Sequence, residues 1–139
     1  MTPTKFLLTA LMSATLASPA LTNPVRDGQL AGLAAQAKKE DAGFAGFSAE
    51  RGRALYQARF ATGKAETPSC TTCHGTDPKG KGQTKAGKEI GPMAVSQNPA
   101  RYTDPAELEK WFPRNCNQVL GRECTAREKG DFLTFMISQ

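Results

Sequence analysis

The stretch from residue 61 to about residue 100 most restricts the folds that this chain can adopt. It is rich in glycine, proline, lysine and threonine, and we predict no regular helix or strand in it. About forty residues without regular structure are rare in a compact domain that packs only on itself. We therefore expect this segment to wrap around a bound cofactor.

Within this stretch, Cys70-Thr71-Thr72-Cys73-His74 forms the pattern C-x-x-C-H, the attachment signature of a c-type haem. The two intervening residues let both thiols form thioethers along one porphyrin edge, and the adjacent histidine reaches the iron from the proximal side. His74 is the only histidine in the chain. The motif therefore predicts one covalent haem c, bound through Cys70 and Cys73, with His74 as the proximal iron ligand.

Other chemistries of a C-x-x-C pair fit this sequence less well. A thioredoxin-like redox pair requires a βαβ context, which is absent here. A structural disulfide at this spacing would leave His74 without a role. A four-cysteine zinc site normally needs a second close pair, but Cys116 and Cys124 lie eight residues apart. A haem-free module stabilised by zinc or disulfides is the alternative from another class of protein.

The N-terminal residues are typical of an export signal. Lys5 is followed by an apolar run that begins at Phe6, and Ser18-Pro19-Ala20 offers small residues for cleavage. We predict a cleaved secretory signal peptide over residues 1–20 and a periplasmic protein, with an uncleaved anchor as the alternative. No later stretch is apolar enough to span a bilayer, so we expect no stable membrane span.

The charge of the exported chain argues against nucleic-acid binding. Leaving Lys5 out of the 18 lysines and arginines leaves 17, against 13 aspartates and glutamates. Two haem propionates would lower this excess by about two charges. There is no arginine-rich helix and no basic stretch interleaved with aromatic residues. Four lysines after the haem motif either form a basic rim for an acidic redox partner or belong to a solvated loop; these are Lys79, Lys81, Lys85 and Lys88.

Helical periodicity and capping residues predict four helical stretches and no convincing strand. The first runs from about Arg26 to Lys39 with Asp27 as N-cap, within an N-terminal helix and connection at residues 21–47. The second begins at the N-cap Ser48 and runs to about Phe60. Gly52 and Tyr56 share one face of it, and a glycine inside a helix suggests close approach of another helix.

The other two predicted helices belong to the C-terminal part of a domain at residues 48–139. One begins near residue 103 or 104 and ends at Trp111-Phe112, because Pro113 disfavours helix before it. We expect a short helical turn over residues 114–120 that ends at Gly121. The last helix begins with a capping box, Thr125 to Glu128, and its apolar face is the expected partner for the face of Gly52 and Tyr56.

The motif leaves the sixth iron ligand open. A second histidine is absent, so methionine is the usual alternative. Beyond residue 20 the methionines are Met93 and Met136, and core packing explains Met136 near the end of the last helix. Met93 follows Ile90-Gly91-Pro92 in a segment suited to a ligand loop. With Met93 as ligand, the protein would be a simple electron-transfer cytochrome c with histidine and methionine axial ligands.

Several further motifs resemble the sphaeroides haem protein family. They are Ser69-Cys70-Thr71-Thr72-Cys73-His74-Gly75, Gly87-Lys88-Glu89-Ile90, Glu109-Lys110-Trp111, Arg114-Asn115-Cys116-Asn117 and Gly121-Arg122-Glu123-Cys124-Thr125. The resemblance covers residues 48–139 and is weaker before Ser48. It implies an all-α fold, with a class I cytochrome c-like helical core around one covalent haem and the predicted N-terminal helix as an addition.

The resemblance also implies roles for Asn115 and the second cysteine pair. In that family an asparagine before the first cysteine of this pair binds the iron, whereas the related cytochrome c double-prime has a histidine. Asn115 is thus implied as the redox-labile distal ligand, and Cys116 and Cys124 as a disulfide. From the residues alone, Asn115 would be only a cap or turn residue. Continuous helix would separate the two cysteine Cα atoms by about 12 Å, beyond the roughly 7 Å of a disulfide, so the chain must turn between them.

The implied function follows from the ligand. An amide oxygen is hard and neutral and suits ferric iron better than ferrous iron. The resemblance implies a periplasmic monohaem cytochrome that loses Asn115 on reduction and then binds oxygen, nitric oxide or carbon monoxide. Its electrons would come from another protein, a dihaem cytochrome c. We expect electron transfer and small-ligand binding rather than a dedicated enzymatic activity.

Overall fold

The computed structural model describes residues 22–139, so the predicted signal peptide lies outside the described residues. The fold is all-α, as predicted. The helices are α1 (Pro24–Glu40), α2 (Ala49–Gln57), α3 (Thr71–His74), α4 (Pro105–Leu120) and α5 (Ala126–Ser138). The prediction of no strand was wrong in one place, since two short strands, β1 (Gly82–Gln83) and β2 (Glu89–Ile90), pair antiparallel.

Helix α1 begins earlier than the sequence suggested. Its N-cap is Asn23, whose side chain accepts hydrogen bonds from the main-chain N–H groups of Val25 (3.0 Å) and Arg26 (3.2 Å). The predicted N-cap Asp27 was wrong, because Pro24 supplies a preorganised first helical position. The helix packs against α5, and the buried Arg26 donates to the carbonyl oxygen of Pro99 at 2.8 Å.

Helices α2 and α5 cross in close contact. An ideal Cβ placed on Gly52 would lie 2.0 Å from the carbonyl oxygen of Asp131, so a glycine is required at this crossing. The predicted close approach is confirmed. Asp131 is buried and accepts from the Ser48 main chain at 2.7 Å and from Arg51, which ties the start of α2 to α5. The predicted N-cap Ser48 is also confirmed, while α2 ends at Gln57 rather than near Phe60.

Helix α5 begins with the predicted capping box of Thr125 and Glu128. Its inner face packs on α2, with the rings of Tyr56 and Phe135 5.9 Å apart. Met136 is fully buried there, which confirms its expected place in the core.

Helix α4 is one continuous element, contrary to the predicted break at Phe112. It begins at Pro105 after the N-cap Asp104 and passes through Pro113 to Leu120. A proline inside a helix removes one N–H donor and disfavours helical geometry at the residue before it. The burial of Cys116, Val119 and Leu120 in the second half of α4 offsets that cost. Gly121, with φ of 71°, ends the helix as predicted.

The segment between α2 and α4 is irregular apart from α3 and the short hairpin. Its first part packs on the C-terminal end of α4. The main-chain N–H of Lys64 donates to the carbonyl oxygen of Gln118 at 2.7 Å, and the Thr62 hydroxyl donates to that of Leu120 at 2.7 Å. These bonds satisfy carbonyls that a helix end leaves without partners, and they fix the segment just before the C-x-x-C-H motif.

Candidate haem site

A cleft lies between the helices, lined by residues of α2, α3, α4 and α5. Every site residue predicted from the sequence lines it: Cys70, Cys73, His74, Met93, Asn115, Cys116 and Cys124. Much of the remaining lining is apolar, including Leu55, Phe112, Val119, Leu120 and Phe132. The structure therefore brings the two competing sixth-ligand candidates into the same cleft as the haem motif.

The C-x-x-C-H residues form one helical turn. The main-chain N–H groups of Cys73 and His74 both donate to the carbonyl oxygen of Cys70, at 3.3 and 3.1 Å. Residues three apart lie on one helix face, which directs both thiols to the same side. Cys70 and Cys73 are both free cysteines, as thioether formation with a haem requires.

Burial keeps Cys70 and His74 uncharged at neutral pH. Burial raises the pKa of Cys70 to about 11, so this thiol stays protonated at neutral pH. Burial, with a smaller effect of the nearby Arg101 charge, lowers the pKa of His74 to about 4. His74 is therefore a neutral imidazole, the form that coordinates iron. Its Nδ1 atom is buried and has no hydrogen-bond partner among residues 22–139.

The main chain at His74 is held by Tyr56. The fully buried Tyr56 places its hydroxyl 2.6 Å from the carbonyl oxygen of Gly75 and 3.2 Å from that of His74. Burial, and then the negative charges that Cys70 and Asp77 can bear, raise the pKa of this hydroxyl far above its usual range, so it remains a donor. The sequence analysis placed Tyr56 only on a packing face. The available signal was a tyrosine at an inward position, where a buried hydroxyl needs a partner.

Arg101 and Tyr102 hold the segment that carries Met93. Arg101 donates to the carbonyl oxygens of Gly91 (2.8 Å) and Pro92 (3.0 Å), and the Tyr102 hydroxyl donates to that of Met93 at 3.0 Å. Tyr102 has a φ of 62°, a strained value for a bulky residue. No sequence signal pointed to these contacts.

Met93 belongs to a packed group that we call the His74-side cluster, made of Tyr56, Met93, Phe135 and Met136. Met93 is only 7% exposed. Through the Tyr56 hydroxyl, this cluster also contacts the main chain of His74. The methionine and the histidine main chain are thus attached to the same part of the core.

Asn115 lies on α4, beside a second group that we call the disulfide cluster: Cys116, Val119, Leu120 and Cys124. Asn115 is half-buried, and its side chain forms no hydrogen bond within the part of the chain that the structure describes. By contrast, Asn117 donates from Nδ2 to the carbonyl oxygen of Pro113 at 2.8 Å. The cleft-lining asparagine therefore has an amide free to bind another group.

Cys116 and Cys124 form a disulfide with their Cα atoms 5.6 Å apart. The required turn is present, because α4 ends at Leu120 and Gly121 reverses the chain. This bond uses two of the four thiols that the zinc alternative needs. Among residues 22–139, no three or more histidine, cysteine or acidic side chains are grouped to hold a metal ion.

Comparisons with known proteins agree with this arrangement. A protein-family profile described as "Domain of unknown function (DUF1924)" matches residues 42–136. The cytochrome c-type protein SHP of Cereibacter sphaeroides is 49% identical over 136 residues, which cover 98% of this chain and 99% of that protein. Cytochrome c'' of Methylophilus methylotrophus is 32% identical over 89 residues, covering 63% and 62%. This chain belongs to the SHP family of c-type cytochromes, the sphaeroides haem protein family that its motifs resemble.

Solved structures of this family share the fold. Oxidised SHP, described as an oxygen-binding cytochrome c, matches with a TM-score of 0.75 and 49% identity, over 82% of this chain and 96% of that one. Oxidised cytochrome c'' matches with a TM-score of 0.71 and 25% identity, over 83% and 94%. As an SHP family cytochrome, this protein contains covalently bound haem c with its iron.

The residues present fit that cofactor. Two free thiols and a neutral histidine lie on one helical turn at the wall of a largely apolar cleft. Members of both the His74-side cluster and the disulfide cluster line the cleft, and Cys70 packs against both clusters. Since a haem is flat and mostly apolar, such a cleft can bury its two faces against different groups of side chains.

Proposed function

We propose that this protein is a periplasmic monohaem cytochrome that binds a diatomic ligand, oxygen or nitric oxide, when its iron is reduced. Cys70 and Cys73 form the thioethers, and His74 is the proximal iron ligand. The related SHP described as an oxygen-binding cytochrome c supports this proposal. So does the position of all three residues on one turn of the cleft wall.

We infer that Asn115 is the distal ligand, on the observation that its amide lines the cleft without a hydrogen bond to residues 22–139. Asn115 and Met93 are the two side chains of the cleft that could supply the sixth ligand. Met93 is held in the packed His74-side cluster, whereas the half-buried Asn115 adjoins the disulfide cluster. The free amide of Asn115 favours the asparagine over the methionine.

The chemistry of the amide explains why the ligand is released. When bound, the haem supplies one iron that changes between ferric and ferrous states. The neutral, hard oxygen of Asn115 would prefer the ferric ion, so reduction would weaken its hold and release the side chain. The cleft beside Asn115 would then be open to a diatomic ligand. The disulfide next to Asn115 holds the main chain, so the side chain can leave and return without unfolding α4.

The proposal also assigns the parts of the chain, its location in the cell and its electron donor. Residues 1–20 are an export signal, residues 21–47 an accessory helix with its connection, and residues 48–139 the cytochrome domain. The electron donor is another protein, a dihaem cytochrome c. The described residues include no helix with the length and apolar character needed to cross a membrane. The function is to accept an electron and to bind a small ligand.

A simple electron-transfer cytochrome with Met93 as sixth ligand is the second candidate. The observation in its favour is that the buried Met93 side chain also lines the cleft. In such a cytochrome the iron would stay six-coordinate on reduction and would bind carbon monoxide poorly.

Visible spectra of oxidised, reduced and carbon-monoxide-treated holoprotein separate the two candidates. We expect a high-spin reduced spectrum that shifts on adding carbon monoxide, and no sulfur-to-iron charge-transfer band in the oxidised form. Asn115→Ala should change the oxidised spectrum, and Met93→Leu should not. Asn117→Ala is the matched control, since this asparagine lies on the same helix but bonds to Pro113. If only Met93→Leu changes the oxidised spectrum, the assignment of Asn115 is wrong.

A further inference from the structure

The main chain of His74 is held from two sides. On one side, the Tyr56 hydroxyl lies within hydrogen-bond distance of the carbonyl oxygens of His74 and Gly75. On the other side lies Gly82 of β1, where an ideal Cβ would be 2.8 Å from the His74 Cα atom and 2.2 Å from the Cys73 carbonyl oxygen. The position of the His74 Cα atom is therefore tightly defined.

The imidazole ring lacks the usual second support. A metal-binding histidine almost always donates its other ring N–H to a carboxylate, a carbonyl or water, which fixes the ring orientation. Within residues 22–139, no protein group accepts from the buried Nδ1 of His74. The contacts that fix His74 within residues 22–139 are those to its main chain.

Tyr56 is the side chain placed to hold this main chain. It is 0% exposed and belongs to the α2–α5 core, so it links the most closely packed part of the molecule to the turn that carries His74. A hydroxyl has one proton to donate, and the shorter distance, to Gly75, marks its main acceptor. The packed ring cannot shift without disturbing Phe135 and Phe132, whose rings lie 5.9 and 6.3 Å away.

We propose that Tyr56 is a positioning residue for the iron ligand His74. Its hydroxyl fixes the main chain at His74 and Gly75, and this sets the direction from which the imidazole meets the iron. The strength of the histidine–iron bond, the reduction potential and the affinity of the sixth position all depend on that direction. The inference rests on the proposed role of His74 as proximal ligand.

The test compares Tyr56→Phe with Tyr102→Phe in the full holoprotein. These are the two tyrosines of the chain, and each donates its hydroxyl to a main-chain carbonyl, Tyr102 to that of Met93. Resonance Raman spectra of the reduced protein report the iron–histidine stretching band. We expect Tyr56→Phe to lower and broaden this band and to raise the midpoint potential, and Tyr102→Phe to leave both unchanged. An unchanged band and potential in Tyr56→Phe, or equal shifts in both variants, would overturn the inference.

A second measurement applies if Tyr56→Phe does not accumulate as folded holoprotein. In the Tyr102→Phe background Tyr56 is the only tyrosine, so 3-fluorotyrosine can be incorporated at that position alone. The more acidic phenol is a stronger donor, and the band should move to higher frequency. An unchanged iron–histidine band in the 3-fluorotyrosine protein would count against the positioning role of Tyr56.

The proposed function and this inference fail in different ways. A wild-type reduced protein that is six-coordinate and does not bind carbon monoxide contradicts the proposed ligand release. In that case the midpoint potentials of the two phenylalanine variants still decide the role of Tyr56.

Discussion

The two sides of the cleft hold their candidate ligands in opposite ways. On the side of His74, the hydroxyl of buried Tyr56 donates mainly to the carbonyl oxygen of Gly75 and lies 3.2 Å from that of His74, which fixes the main chain at the ligand. On the side of Asn115, the fixed points are the disulfide and the carbonyl oxygens at the end of α4, while the asparagine amide is free of hydrogen bonds within residues 22–139. The difference suggests a permanent ligand on the first side and a releasable one on the second.

The largest expected effect comes from disturbing the core that supports His74. Gly52→Ala would bring a Cβ within 2.0 Å of the Asp131 carbonyl oxygen, so α2 and α5 must separate. We expect a loss of about 3 kcal/mol in the free energy of unfolding, measured by urea denaturation. Gly28→Ala is the control, because no atom lies within 4 Å of its added Cβ and alanine favours helix by about 1 kcal/mol. Equal stabilities of the two variants would contradict the close crossing.

Removing the cross-link tests the side of Asn115. Cys116→Ser combined with Cys124→Ser should lower the free energy of unfolding by about 2.5 kcal/mol, from the entropy of the opened loop. Since the bond also fixes the main chain beside Asn115, carbon monoxide binding to the reduced variant should become heterogeneous in rate. Stopped-flow mixing measures this. A variant with single-phase binding at the wild-type rate would show that the disulfide does not support ligand exchange.

A smaller effect is expected on the stability of the fold at acid pH. It involves Glu128, which lines the cleft beside the disulfide cluster. The Arg122 guanidinium beside Glu128 lowers the pKa of this carboxyl below its ordinary value of 4.5. Because the pKa of Glu128 is lower in the folded state than in the unfolded state, the carboxylate stabilises the fold when the pH is above the unfolded-state pKa. That stabilisation is lost as the pH falls from about 4.5 through the lowered value.

Glu128→Gln keeps a side chain that can accept in the capping box but removes the charge. We expect the variant to lose less stability than the wild type as the pH falls from neutral to below the lowered pKa of Glu128, measured from urea midpoints. Glu89→Gln is the control, because its ion pair with Lys81 is exposed on both sides and should contribute less than about 1 kcal/mol. If Glu128→Gln and the wild type show the same acid slope, the ion pair with Arg122 does not contribute to stability.

Local sequence signals predicted the parts of the fold that local physics determines. The cap at Ser48, the capping box at Thr125 and the glycine at the α2–α5 crossing all involve nearby residues or a steric requirement visible in the sequence. The continuity of α4 through Pro113 was missed, because packing along a long helix outweighs a single proline preference.

The site was predictable only in part. The C-x-x-C-H motif gave the cofactor directly, since its chemistry requires that spacing. The proposed role of Asn115 came from the family resemblance, because an asparagine before a cysteine does not differ locally from a cap or turn residue. The contacts of Tyr56 with Gly75 and of Arg101 with Gly91 join residues distant in sequence, and nothing in the sequence alone reports such pairs.

The two cysteine pairs place a demand on how this protein matures in the cell. Cys116 and Cys124 must be oxidised, while Cys70 and Cys73 must stay reduced until haem is attached, although all four line the same cleft. Four cysteines allow three complete pairings, and each of them consumes the thiols that haem needs. Maturation must therefore coordinate cofactor attachment with disulfide formation. The productive precursor is the chain with the Cys116–Cys124 disulfide formed and the thiols of Cys70 and Cys73 still free.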